Sequence, residues 1–127
     1  MEKALSSASE MVHNDEIHYS FQKGLTDAEG IYECIVYENI DSHTGKGSES
    51  IAVSSFKVLP YIKSPTAYFF DWKVFEPGRG TGSRLFPVIL DYLSSDYDKI
   101  KLQVSSDNTA AMKIYSQNQL EITETAT

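Results

Sequence analysis

Gly78, Gly80 and Gly82, with Arg79, Thr81, Ser83 and Arg84 among and after them, are the first residues in this 127-residue chain whose types could hold a ligand. Glycines admit positive φ and let another molecule approach the backbone, so successive N–H groups at a strand-to-helix turn can face an anion such as a phosphate. Two familiar phosphate loops do not fit. Gly82 is followed by Ser83 and Arg84 rather than by Lys and Ser/Thr, and the third glycine of a dinucleotide turn would fall on Leu85. What remains is a generic anion-holding turn or a β-to-α turn without a ligand. Further on, Asn108, Ala111 and Tyr115 are spaced so that a helix returns all of them to one face. Asn108 reads equally as an N-cap, and Tyr115 equally as a core aromatic with its hydroxyl at the surface. For proton transfer the chain offers the phenol of Tyr115, protonated at neutral pH, and the carboxylates Asp71, Glu76 and Glu33, each of which also reads as a surface or structural acid. His13, His18 and His43 fall in a tail, a strand and a loop and make no convincing site.

These side chains need elements to position them. Residues 16–23, 30–39, 50–59 and 67–75 are rich in Tyr, Ile, Val and Phe and separated by polar turns, which predicts an antiparallel meander. From Ser83 to Ser95 the apolar residues Leu85, Phe86, Ile89, Leu90, Tyr92 and Leu93 recur at helical steps, with Pro87 predicting a kink or a helix that begins later than Ser83. Alternation over 99–104 predicts a strand, 108–118 a second helix, and the terminal residues a last strand. Residues 1–15 read as a flexible tail or short helix, and 16–127 as one α/β (α+β) domain: a mixed, mostly antiparallel central sheet of about six strands flanked by helices. No run approaches the ~20 apolar residues of a membrane span, and the first residues lack a secretion signal, so the expected location is cytoplasmic. The net charge of −7 argues against direct nucleic-acid binding and favours cationic partners such as amines. Cys34, the single cysteine, lies in an apolar run and reads as a buried thiol.

The strand at 67–75, the glycine segment and the amphipathic helix after it resemble, in order and spacing, the pyrophosphate-binding motif of the GNAT family of N-acetyltransferases. Asn108, Ala111 and Tyr115 resemble a second motif of that family at the same offsets. The resemblance implies a GNAT-like fold in minimal form, since only 24–29 separates the first two strands where the family has two helices. It implies acetyl-coenzyme A as co-substrate, with Val74, Gly78, Arg79, Gly80, Thr81, Gly82, Ser83, Arg84, Asn108 and Ala111 around it in a gap between the 67–75 and 99–104 strands. Tyr115 becomes the proton donor, Asp71 a candidate base, and a primary amine, on a small molecule or a protein, the acceptor. Pro77, Gln119 and Leu120 depart from the family pattern, which keeps open the alternative of a catalytically silent binding module. The short final strand further predicts association as a homodimer.

Overall fold

The computed structural model describes residues 1–5, 17–41, 48–76 and 80–121. They form six strands and two helices: β1 (Glu2–Ala4), β2 (Ile17–Lys23), β3 (Tyr32–Asp41), β4 (Ser48–Pro60), β5 (Thr66–Val74), α1 (Thr81–Leu93), β6 (Lys99–Lys101) and α2 (Thr109–Gln117). The sheet runs in the order β1-β6-β5-β4-β3-β2. Only β5 and β6 are parallel, joined by α1 as a crossover; every other neighbouring pair is antiparallel. The fold is therefore α+β, with a mixed, mostly antiparallel sheet.

Alternation along the strands decides which face is covered. Tyr32, Cys34 and Val36 of β3, Phe56 and Val58 of β4, Ala67 and Phe69 of β5 and Ile100 of β6 are buried on one face. Leu85, Phe86, Ile89, Leu90 and Leu93 form the apolar stripe of α1 that closes over them. Burial of each such large side chain contributes roughly 1.5–3 kcal/mol. Both helices meet this face: Phe86 of α1 packs on Phe69 and Trp72, and Tyr115 of α2 on Trp72 and Phe86. Among the described residues, no helix is long and apolar enough to cross a membrane.

The structure corrects several expectations. Residues 2–4 are not a tail: they pair with β6, where Glu2 also receives Lys99 and Lys101 at 3.2 and 3.7 Å. Backbone bonds between Met1 and Leu102 extend that pairing, and the N–H of Leu5 donates to the carbonyl of Asp98 at 2.7 Å. Without β1, β6 would present an unpaired edge. β6 itself spans Lys99–Lys101, shorter than the expected 99–104. Of the expected last strand, Glu121 forms a bridge with Glu2, and the rest of that expectation lies outside the described residues. Helix α1 begins at Thr81, earlier than expected, because Gly80 in the left-handed region (φ 70°) serves as its N-cap. Pro87 sits inside it, on an exposed position.

Two register shifts shape the sheet. One extra residue in β4, between its pairings with Val36 and Tyr37, bulges that strand. A second extra residue lies in β5 opposite Phe56, where Asp71 takes φ 53°. Asp is among the few side chains that enter this region at tolerable expense, and a bulge re-aims the side chains beyond it.

Candidate functional site

The two described glycines of the turn have different tasks. Gly80 adopts φ 70°, and a Cβ there would meet nothing within 4 Å, so its absence serves conformation and leaves the backbone open. The next residues start α1, whose first turn holds no acidic residue to compete for an anion at the positive helix end. Gly82 is already helical, and a Cβ on it would stand 3.3 Å from Cδ1 of Ile114, 3.6 Å from Cη2 of Trp72 and 3.7 Å from Cγ2 of Val74. Here the missing side chain serves packing, letting α1, α2 and β5 converge. Thr81 is buried, and its Oγ1 accepts from Nη2 of Arg84 at 3.5 Å. Ser83 and Arg84 are exposed. Arg84 also reaches the field of Tyr19, whose phenol is raised by burial and by Glu38 and drawn back by the guanidinium. Pro77, Gly78 and Arg79 lie outside the described residues.

The parallel pairing of the sheet ends well before β5 does. β5 and β6 pair only at Thr66 with Lys99, Ala67 with Ile100 and Tyr68 with Lys101, after which β5 continues to Val74. Trp72 stands on this stretch, in edge or tilted contact with Phe69, Phe86 and Tyr115 at centroid distances of 5.9, 5.3 and 6.2 Å. Tyr115 is 7% exposed and packs against Phe86 at 5.0 Å. Burial pushes its phenol up to about 12. Its hydroxyl has no hydrogen-bond partner among the described residues. A proton donor here would be available to a ligand.

Gly82, Val74 and Tyr115 are thus gathered around Trp72. Ala111 is partly buried against the core, and its N–H donates to Oδ1 of Asn108 at 3.1 Å. Asn108 is exposed and is the N-cap of α2, as one reading of its sequence position had it. Asp71 is not brought to Tyr115. Its carboxylate lies 3.2 Å from Nζ of Lys57 and 4.0 Å from that of Lys73, on the sheet face opposite the helices. Glu33, Glu76 and His18 are exposed, and His13 and His43 lie outside the described residues. No cluster able to hold a metal ion occurs among the described residues.

Sequence reasoning passed over Trp72, Ile114 and Ser54. Trp72 donates its indole N–H to Oγ of Ser54 at 2.8 Å, and that hydroxyl donates to the carbonyl of Lys73 at 2.7 Å. The signal available was Ser54, a polar residue two before Phe56 and four before Val58 on the apolar face of β4, and the chain's single tryptophan. No family model matches the chain, and no curated protein matches it.

Proposed function

We propose that the chain is a minimal GNAT-type N-acetyltransferase that moves an acetyl group from acetyl-coenzyme A to a primary amine. The observation that supports it most is the convergence on Trp72 of Gly82, in the first turn of a helix capped by the open, left-handed Gly80, and of Tyr115, whose hydroxyl has no partner among the described residues. Backbone N–H groups from Gly80 onward would face the pyrophosphate, and the stretch of β5 past Tyr68, where its pairing with β6 ends, would border the pantetheine arm. The amine nitrogen attacks the thioester carbonyl, the C–S bond breaks, and the sulfur leaves with its electron pair and takes a proton. Tyr115 would supply that proton and recover one from solvent. The same burial that raises the phenol raises a thiol, as it does for Cys34, held near 11, so a thiolate in the same cleft is a closer match than one in water. The proton of the attacking amine goes to water in this scheme, because Asp71 is tied to two lysines on the other face.

That position of Asp71 also favours a second reading, a coenzyme-binding module without turnover. Incubation with labelled acetyl-coenzyme A and a panel of amines, peptides and proteins, read by mass spectrometry, separates the two. Calorimetry with coenzyme A tests the loop that both readings share. Gly80→Asp introduces a side chain that tolerates positive φ and has open space around its Cβ, while placing a carboxylate where the pyrophosphate would lie. A loss of affinity of tenfold or more is expected, and unchanged affinity would remove the loop from the site.

A further inference from the structure

We infer that Ser54 is a positioning residue: its hydroxyl fixes the indole of Trp72 across the β5 bulge and thereby sets the relation between the glycine turn and Tyr115. The placement of Trp72 against both groups is independent of acetyl transfer; the kinetic arm of the test below rests on that reading.

Ser54 has no exposed surface and pairs with Val36 on one side and Val74 on the other. An apolar residue would suit such a position, so the hydroxyl needs a reason. It has two partners at once, accepting from Nε1 of Trp72 at 2.8 Å and donating to the carbonyl of Lys73 at 2.7 Å. A small buried side chain that both accepts and donates must be a hydroxyl or, more weakly, a thiol. The two partners are consecutive residues immediately after Asp71, the left-handed residue at the bulge, so one oxygen ties the strand's backbone to the side chain that the bulge re-aims. At the other end of the indole, Cη2 lies against Gly82, and the ring packs on Phe86 and Tyr115. Rotation of the indole would therefore move the start of α1 relative to α2. Any ligand that touches both Gly80 and Tyr115 would meet a span set by Trp72, and catalysis is sensitive to displacements of about 1 Å.

The test uses the full chain. In wild type, proton NMR should show contacts from the indole Hη2 to Gly82 Hα and to the ring of Tyr115, and a single slowly exchanging indole N–H. Ser54→Ala should speed exchange of that N–H and weaken both contacts, and Ser54→Thr, which keeps the hydroxyl, should restore them. Persistence of both contacts in folded Ser54→Ala overturns the proposal. Should Ser54→Ala fail to fold, Trp72→Phe keeps a ring and removes the donor. It is expected to displace Gly82 and Tyr115 resonances, and unchanged resonances there overturn the proposal equally. With an acceptor in hand, Ser54→Ala should lower kcat about tenfold while the coenzyme Kd stays within threefold; equal loss of both would make Ser54 a purely structural residue. Absence of coenzyme binding and turnover in wild type would instead overturn the acetyltransferase reading, and the NMR contacts would still decide the role of Ser54.

Discussion

A Cβ on Gly82 would stand 3.3 Å from Cδ1 of Ile114, so the first turn of α1 passes α2 with little room for a side chain at residue 82. Gly80, two residues earlier, has open space where its Cβ would be and a φ of 70° that other residues seldom adopt. The two positions therefore respond differently to the same substitution. Gly80→Ala should destabilise by about 1–2 kcal/mol through backbone strain alone. Gly82→Ala gains up to ~1 kcal/mol of helix propensity, and the crowded contact is the end of a flexible isoleucine, so the net change should stay within about 1 kcal/mol. Urea denaturation of both variants checks the order, and a larger loss at Gly82 would contradict it.

Pro87 lies well inside α1, removing the N–H that would otherwise donate to the carbonyl of Ser83, yet its ring is exposed and contributes no core contact. Pro87→Ala restores that hydrogen bond at an open position. A gain of about 1–3 kcal/mol is expected, reduced by the greater entropy that alanine gives the unfolded chain. A thermal melt of the variant with an unchanged or lower Tm would show that the helix is built around the proline.

Much of this architecture is legible in residue periodicity. The alternation of Tyr32, Cys34 and Val36 and the helical recurrence of Leu85, Phe86, Ile89, Leu90 and Leu93 mark the core and the buried face of α1 in the sequence itself. β1 is not legible, because three residues carry no pattern and its strand character comes from β6, nearly the whole chain away. The bulges are equally silent, since an extra residue in β5 changes which side chains point inward without changing composition. For the candidate site, Gly80 and Tyr115 announce themselves by type and spacing. The part of Trp72 that matters, its contact with Gly82 and its bond to Ser54, depends on three elements meeting in space.

The buried titratable groups predict an alkaline weakness. Burial pushes Cys34 up to about 11 and Tyr92 and Tyr115 up to about 12, and raises Tyr32 too, with the hydrogen bond to Tyr97 adding to the effect. Each group keeps its proton in the folded chain at a pH where the unfolded chain has lost it. Stability is therefore fully present below the unfolded values, 9.0 for the thiol and 10.0 for the phenols, and is lost as pH rises through the folded ones. Denaturation midpoints should be level from about pH 7 to 8.5 and fall from about pH 9 onward, by up to roughly 1.4 kcal/mol per pH unit for each group in its window. Cys34→Ala should delay the onset to about pH 10. An onset that stays near 9 in that variant would assign the loss to other groups.

Tyr115 separates turnover from binding. Its ring contributes the contacts with Phe86 and Trp72, and its hydroxyl has no protein partner among the described residues, so Tyr115→Phe should keep the fold and change stability by less than about 1 kcal/mol. Coenzyme affinity should also hold, since a hydroxyl that serves only the leaving sulfur adds little in the ground state. If the phenol protonates the departing thiolate, kcat falls roughly 10²-fold, the lower range for a lost general acid, with the coenzyme Kd unchanged. The phenol is held near 12, so it stays protonated through the working range, and the wild-type rate should show no downward limb from this group below about pH 10. Steady-state kinetics from pH 6 to 9 with the acceptor found in the labelling experiment provide the measurement. Equal kcat in wild type and Tyr115→Phe across that range would exclude proton donation, leaving Tyr115 as an aromatic support for Trp72; tight coenzyme binding with no turnover on any amine would identify the binding module.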